Sequence, residues 1–411
     1  MDNVIVREIF GRLMLTPADI SNLNIPSEYF SYLKYLPMAG LAFILTLFLA
    51  PIIGHIATKL GATYKPGVKR LGKVFDNISK HRHQYETPGL GGLAVTLPLL
   101  VAIPFMFQLN DFTWPFFIAI AVLIVGALLD DLLNLPAIFQ LLYQGTAALI
   151  IATSIIDLPF IGSPLTVGTV NLNWLDLKYS VFGVAQSIIF PGDFFMLLWI
   201  LICINAIKWV GGSPGLVEAN SFITFIILFI IGVRGATIFV SSASIMMAGS
   251  LLALIIFAFP PQKIMSGSSG KTLYGFLIAS LAVVNGAKLA TAIMVLLLPL
   301  IDFFFVIGKR FLKYKPKSII ELLRMNDTSH LHHQLLELKL TERQVLLIEA
   351  SLTLLIGAFA IFTTGALRLF LLVAIAFIFL ISILLINMRA DKQRQNSTPE
   401  KGESPESKYS Y

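Results

Sequence analysis

The chain has 411 residues, of which 56% are hydrophobic and 13% are charged, whereas soluble domains have ~45–50% apolar and ~25% charged residues. So few charged side chains cannot cover the surface of a soluble protein of this length. The composition therefore excludes a soluble enzyme, a disordered chain and a nucleic-acid-binding module. The one cysteine, Cys203, lies in an apolar run, which excludes an internal disulfide and a cysteine-based metal site.

A helix needs about 20 apolar residues to cross the hydrocarbon core of a membrane. Eleven stretches meet this length and predict an all-α polytopic membrane protein. They are 36–57, 89–107, 113–130, 137–156, 190–208, 214–232, 236–259, 272–287, 289–308, 345–363 and 366–388. Residues 36–388 are thus predicted to form one transmembrane domain, between an external segment (1–35) and a disordered polar tail (389–411).

Basic residues orient these spans. Most of the 30 Lys and Arg residues fall in segments that share one side if residues 58–88 face the cytoplasm. Because cytoplasmic loops are enriched in Lys and Arg, we expect the N-terminus outside and the C-terminus inside. The expected location is the inner (plasma) membrane of a bacterium. The longest external loop, 157–189, alternates apolar and polar residues around Gly and Pro, which predicts a small hairpin.

Unusual polar residues gather on the predicted cytoplasmic side, in five groups. They are His81, Arg82 and His83 before TPGLGGLAV, Asp130 and Asp131 in LLDDLLNLP, Asn205 and Lys208 in NAIKWVGGSPGL, Lys271 in the loop SGSSGKT, and His330, His332 and His333 in TSHLHHQLLELKLTERQ. Only a helical bundle that opens to the cytoplasm brings such distant loops together.

The residue types favour phosphate chemistry. Paired aspartates are unfavourable at a helix C-terminus, so Asp130 and Asp131 indicate a function, either holding a cation or taking a proton from a phosphate. SGSSGKT is not an ATP-binding P-loop, because Met265 stands where that pattern needs Gly. Its Gly/Ser-rich turn still suits phosphate. Nearby basic residues favour anionic membrane lipids as partners; they are Lys309, Arg310, Lys313, Lys315 and Lys317.

The order of these motifs resembles that of the polyprenyl-phosphate sugar-1-phosphate transferases. This membrane family includes undecaprenyl-phosphate GlcNAc-1-phosphate transferases and phospho-MurNAc-pentapeptide translocase. Five landmarks occur in the family's order between about residues 83 and 345: HQYETPGLGGLAV, LLDDLLNLP, NAIKWVGGSPGL, SGSSGKTLYGF and HLHHQLLELKLTERQ. The motif HLHH with the residues after it is the most specific of them.

The resemblance implies transfer of a sugar-1-phosphate from a UDP-sugar to a polyprenyl phosphate, with release of UMP and use of Mg²⁺. It implies that Asp130 and Asp131 act on the lipid phosphate and lie near the metal, with Asn205 at the nucleotide and metal site. The remaining candidates are expected to bind substrate; they are His83, Lys208, Lys271, His330, His332 and His333. Dimers occur in this family, so a homodimer is also expected.

The sequence departs from the family at the residues that would hold the metal. In the family pattern Asn-x-x-Asn-x-x-Asp-Gly-x-Asp-Gly-Leu, the second Asn is Lys208 here. The two Asp positions of that pattern are Gly211 and Pro214, and the Asp position of the later Gly-Asp-x-Gly motif is Ser268. Three expected carboxylates are thus replaced and one cation is added, although Mg²⁺ prefers oxygen ligands, usually carboxylates.

Three functions remain open from the sequence. One is an active transferase with a rebuilt site, in which Lys208 or Lys271 replaces part of the metal's charge, and Glu218 or Asp302 supplies a ligand. Another is a catalytically silent relative that binds polyprenyl phosphate or a nucleotide-sugar, or partners an active enzyme. The weakest is a transporter, for which the intramembrane ionisable residues would be Asp302, Lys288 and Glu349.

Overall fold

The computed structural model describes residues 27–64, 86–106, 113–154, 160–162, 169–181, 184–284, 289–318, 321–322 and 329–397. His81, Arg82 and His83 of the first predicted cytoplasmic loop lie outside these ranges, as does Lys288. The roles expected for these four residues therefore stay predictions.

Helices make up most of the described chain, and each of the eleven predicted spans overlaps at least one of them. They are α1 (Ser27–Leu33), α2 (Leu36–Lys59), α3 (Gly91–Met106), α4 (Thr113–Leu133), α5 (Ala137–Ala152), α6 (Gly192–Val210), α7 (Leu216–Arg234), α8 (Ile238–Ala258), α9 (Gly267–Val284), α10 (Leu289–Val295), α11 (Leu297–Tyr314), α12 (Leu331–Glu337), α13 (Glu342–Phe362) and α14 (Gly365–Ser397). The ninth predicted span coincides with two helices, α10 and α11.

Within the described ranges, seven helical segments are long and apolar enough to cross a membrane. They are Tyr29–Lys59, Trp114–Leu133, Gly192–Val210, Leu216–Arg234, Ile238–Ala258, Glu342–Phe362 and Gly365–Ala390. Two shorter apolar helices cover Gly91–Pro104 and Ala137–Ala152. The chain is therefore a multi-pass membrane protein. The number of eleven crossings and the orientation of the termini stay predictions.

Short strands add to this mostly helical fold. They form three antiparallel pairs in the described chain: β1 (Thr63–Tyr64) with β2 (Thr87–Pro88), β3 (Phe160–Gly162) with β4 (Thr169–Asn171), and β5 (Asn173–Val181) with β6 (Val184–Pro191). The last two pairs lie in and beside the segment 157–189, where alternating apolar and polar residues predict a hairpin. The first pair brings the residues after α2 beside those before α3.

The last helix extends beyond the predicted boundary of the membrane domain at residue 388. α14 continues to Ser397, because the stretch RADKQRQNS contains several helix-favouring residues and Pro399 comes only after it. The start of the predicted disordered tail is therefore helical. Residues 398–411 lie outside the described ranges.

α8 lies at the centre of the bundle. Of its most apolar 18 residues 83% are buried, compared with 6% for α14, and it packs against α2 and α7. Small side chains let membrane helices approach closely, and α8 contains several Ser, Ala and Gly residues. A Cβ atom at Gly249 would collide with the Ala39 carbonyl oxygen of α2.

The helices that carry the predicted site meet around this core. α9 packs against α6 and α4, and α11 contacts α6. The short helix α12 lies against α13 and α14. Consequently the C-terminal ends of α4 and α6 and the N-terminal ends of α9 and α12 come to one end of the bundle.

Candidate active site

Two glycine-rich motifs far apart in sequence pair with each other through their backbones. The Met265 N–H donates to the Pro88 carbonyl at 3.0 Å, and the Gly91 N–H donates to the Met265 carbonyl at 2.9 Å. The Gly92 N–H then donates to the Ser266 carbonyl at 3.0 Å. The motif TPGLGGLAV therefore fixes the loop that starts α9.

The glycines in these motifs are required by this close approach. Gly267 has φ +68°, in the left-handed region, and a Cβ atom there would overlap the Gly89 carbonyl oxygen. A Cβ atom at Gly92 would overlap Gly270 Cα. No larger residue fits between these two backbones without moving one of them.

Asp131 holds the first turn of α9. Its Oδ1 accepts the Ser268 N–H at 2.8 Å, and its Oδ2 accepts the Ser269 N–H at 2.9 Å. The Tyr64 hydroxyl also donates to Oδ1, at 3.2 Å. A carboxylate is stable beside the N–H groups at a helix N-terminus. Asp131 is buried and links α4 to α9.

Asp130, also buried, connects to Lys208 through a glutamine. Its Oδ1 accepts the Leu135 N–H at 3.0 Å and Gln140 Nε2 at 2.9 Å. The other end of the same amide, Gln140 Oε1, accepts Lys208 Nζ at 2.7 Å. Gln140 therefore joins the predicted catalytic carboxylate to the lysine that replaces the second asparagine of the family pattern.

Lys271 fills the space beside the first missing acidic position. Its Nζ donates to the Gly211 carbonyl at 3.0 Å, and a Cβ atom at Gly211 would overlap the end of the lysine side chain. An aspartate at 211 would therefore displace the end of the Lys271 side chain. Asn205 points elsewhere, since its Nδ2 donates to Gln144 Oε1 at 3.2 Å and to the Leu201 carbonyl at 2.9 Å.

The three histidines form a buried cluster at the start of α12. The ring N–H at His330 Nδ1 donates to Asp302 Oδ2 at 2.7 Å, and the Leu331 N–H donates to Asp302 Oδ1 at 2.8 Å. The rings of His332 and His333 lie 4.2 Å apart, and the His332 ring stacks on that of His330. Asp302 thus orients the cluster.

The histidine cluster contacts the NAIKWVGGSPGL segment directly. The His332 ring occupies the space beside Gly212, where a Cβ atom would overlap Nε2. The Trp209 ring lies 5.3 Å from that of His330, and the Arg310 guanidinium lies 4.6 Å above the Trp209 ring. The structure therefore brings together the candidate residues of four of the five predicted groups. His83, of the fifth group, is not described.

Three further polar residues make structural contacts, and the roles expected for them stay predictions. The two oxygens of Asp302 accept hydrogen bonds from His330 and from the Leu331 N–H. Glu218 Oε1 accepts the Ser266 N–H at 3.1 Å and the Ser266 hydroxyl at 2.6 Å, so this carboxylate holds the loop before α9. Arg310 is buried, and its guanidinium lies over the Trp209 ring.

Sequence reasoning missed Gln140, Tyr64 and Trp209. Gln140 lies in α5, outside every landmark, and nothing in its local sequence indicates a contact with Asp130. Tyr64 lies far from Asp131 in sequence. Trp209 directly follows Lys208 within a landmark. Its position next to a candidate residue was the one feature of the sequence that could have indicated a place in the site.

The described side chains do not fit a magnesium ion. Magnesium takes oxygen ligands, usually carboxylates, in near-octahedral geometry. Among the described residues, no three His, Cys, Asp or Glu side chains are placed to hold one metal ion. Asp130 and Asp131 receive N–H donors, and the other motifs add the cations Lys208 and Lys271. Ammonium, imidazole and amide groups suit an anionic ligand.

Comparison with known proteins agrees with the motifs. Residues 113–286 match the family described as Glycosyl transferase family 4. The chain is 27% identical over 312 residues to a probable undecaprenyl-phosphate N-acetylglucosaminyl 1-phosphate transferase of Bacillus subtilis, covering 74% of this chain and 77% of the relative. It is 27% identical over 356 residues to a decaprenyl-phosphate N-acetylglucosaminephosphotransferase of Mycobacterium leprae, covering 77% and 80%.

A third relative carries the other activity of the predicted family. The chain is 25% identical over 315 residues to a phospho-N-acetylmuramoyl-pentapeptide-transferase of Streptococcus thermophilus, covering 72% of this chain and 86% of the relative. These comparisons confirm the resemblance to the polyprenyl-phosphate sugar-1-phosphate transferases that the sequence landmarks indicated.

Proposed function

We propose that this relative of the polyprenyl-phosphate sugar-1-phosphate transferases moves a sugar-1-phosphate from a UDP-sugar to a polyprenyl phosphate and releases UMP. One observation carries the proposal: two buried carboxylates, two lysines and three histidines from four distant motifs meet at one end of the helical bundle. The names of two relatives favour N-acetylglucosamine as the sugar.

The proposed reaction is a phosphoryl transfer. An oxygen of the polyprenyl phosphate attacks the β-phosphorus of the UDP-sugar, the bond from that phosphorus to the bridging oxygen breaks, and UMP leaves. Catalysis of this kind depends on positioning and on neutralising the charge of several phosphate oxygens. Lys208, Lys271 and His332 are the proposed donors to these oxygens, and Asp130 and Asp131 hold the elements that carry them.

The setting of the reaction is part of the proposal. The protein lies in the inner membrane of a bacterium, and the polar end of its helical bundle faces the cytoplasm. The nucleotide-sugar reaches this end from the cytoplasm, and the polyprenyl phosphate reaches it from the lipid. The protein forms a homodimer, as expected from the family. No step is assigned to the expected magnesium ion, because the described side chains do not fit it.

The test is UMP release by the purified chain in lipid nanodiscs, given UDP-GlcNAc and a polyprenyl phosphate. We expect UMP formation that requires both substrates, and a rate at least about tenfold lower for His332→Ala, since it removes one positioned donor. His55→Ala, which changes an exposed histidine of α2, is the matched control and should keep the parent rate. No UMP from any of several UDP-sugars, with or without added divalent metal, would rule out the transferase.

A second function, binding without turnover, is favoured by a specific observation. Both oxygens of Asp131 accept backbone N–H groups, and the expected acidic positions are Gly211, Pro214 and Ser268. In this alternative the chain binds polyprenyl phosphate or a nucleotide-sugar, or partners an active enzyme. It predicts measurable binding of a UDP-sugar together with no UMP release.

A further inference from the structure

Lys208 and Lys271 belong to one closed ring of contacts. Lys208 bonds to Gln140, and Gln140 bonds to Asp130. The adjacent residue Asp131 accepts the N–H groups at the start of α9, two and three residues before Lys271. Lys271 donates to the Gly211 carbonyl, and the Gly211 N–H donates to the Lys208 carbonyl at 3.3 Å. We call this arrangement the lysine ring.

The lysine ring coincides with positions where the family pattern has metal ligands. Gly211 and Ser268 are two of the three replaced acidic positions. The Lys271 side chain fills the space beside Gly211, and the Ser268 N–H is bonded to Asp131 at 2.8 Å. Ammonium and amide groups therefore occupy the region where the pattern would place carboxylates around a cation.

The change in formal charge is large enough to replace the ion. Relative to the family pattern, three carboxylates have become uncharged residues, and one asparagine has become Lys208. These four substitutions make the site more positive by about four elementary charges, which exceeds the two charges that a divalent cation brings. Lys208 and Lys271 therefore balance the formal charges of Asp130 and Asp131 without an added ion.

Lys208 also has the donors that such a ligand needs. An ammonium group has three N–H donors, and Gln140 Oε1 is its one hydrogen-bond acceptor within the described part of the chain. The residue is partly exposed, and a ligand that reached its ammonium would supply acceptors for the remaining donors. Lys271 is partly exposed as well, at the N-terminal turn of α9.

We propose that Lys208 and Lys271 replace the divalent cation and bind the diphosphate of a nucleotide-sugar directly, without metal. This inference rests on the proposed substrate class of the site. It assigns the two lysines as the groups that neutralise the diphosphate, and it makes substrate binding insensitive to chelators.

The experiment is calorimetric binding of UDP-GlcNAc to the full chain in nanodiscs, in EDTA and in excess MgCl2. We expect dissociation constants that agree within about twofold in the two buffers. Lys208→Met and Lys271→Met should each weaken binding about tenfold or more, because each removes a charge-assisted hydrogen bond to the diphosphate. Lys263→Met, which changes an exposed lysine in the loop before α9, should bind like the parent.

Folding is separated from binding by two further measurements. Gel filtration and thermal unfolding should show that the methionine variants remain folded, and Lys208→Arg and Lys271→Arg should retain more affinity because they keep the charge. The inference is overturned if EDTA abolishes binding and Mg²⁺ restores it, if the methionine variants bind like the parent, or if no UDP-GlcNAc binds in either buffer.

The outcomes also separate this inference from the proposed function. Metal-dependent binding with UMP release would support the transferase function and contradict direct binding of the diphosphate by the two lysines. Metal-independent binding without UMP release would support direct binding by the two lysines and contradict the transferase function.

Discussion

At the scale of single residues, Asp131 shows how one side chain can keep a family position and gain a structural task. It is buried, and each of its oxygens accepts a backbone N–H at the start of α9. The motif LLDDLLNLP located this aspartate, but its role could not be predicted because its partner Ser268 lies 137 positions later. Local sequence contains no signal for a contact of that range.

Asp131→Asn should lower the stability of the protein. The amide nitrogen would face backbone N–H groups that need an acceptor, at a cost of about 1–3 kcal/mol. Thermal unfolding in nanodiscs measures this loss, and Asp176→Asn on the exposed strand β5 should leave the unfolding temperature unchanged. An unchanged temperature for Asp131→Asn would show that the N-terminal turn of α9 does not depend on the carboxylate.

Gly211→Asp should displace the end of the flexible Lys271 side chain, because the new Cβ atom would overlap it. The added carboxylate would then lie beside the Lys271 ammonium and pair with it, so we expect the unfolding temperature to stay close to that of the parent. Adding Lys271→Ala should remove this attraction and lower the unfolding temperature, so the two substitutions are expected to be non-additive in a double-mutant cycle. Additive effects would mean that the two side chains do not interact.

At the scale of elements, the length of the apolar stretches predicted which segments are helical. It located the ends and the breaks of these helices less accurately. The eighth predicted span begins at residue 272, whereas α9 begins at Gly267, because Asp131 accepts the N–H groups of its first turn. The ninth span is broken at Leu296, between α10 and α11. The first difference depends on a tertiary contact, which hydropathy does not report.

Close helix packing gives a prediction at this scale. Gly249→Ala in α8 should destabilise the protein by about 1–3 kcal/mol, because its Cβ atom would collide with the Ala39 carbonyl of α2. Gly145→Ala in α5 is the matched control, since no atom lies within 4 Å of its Cβ position. Helix propensity predicts a gain of up to about 1 kcal/mol there. Equal effects on unfolding temperature would contradict the packing argument.

At the scale of the whole molecule, the orientation in the membrane can be tested through the single cysteine. Cys203 is fully buried, so the parent chain should react little with a membrane-impermeant maleimide. Asp176→Cys in the hairpin should be labelled in intact spheroplasts, and Lys263→Cys should be labelled only after permeabilisation, since Lys and Arg loops face the cytoplasm. Both positions are exposed. The reverse pattern would place the N-terminus inside.

The assembly of the site could be predicted from the sequence in outline only. The scarcity of charge predicted a membrane protein, and the order of motifs predicted which loops belong together. The ring itself could not be predicted, because Gln140 connects Asp130 to Lys208 from outside every landmark. The direction of the Lys271 side chain toward Gly211 also follows only from the packing of α9 against α6.

The contact between Lys271 and Gly211 has a consequence for measurements on this helix end. The Lys271 ammonium donates at 3.0 Å to the Gly211 carbonyl, which lies just beyond the C-terminal end of α6. A cation at the C-terminal end of a helix is stabilised by the helix dipole. Lysine at position 271 therefore stabilises the end of α6 as well as being available to a substrate, and its removal should change both properties together.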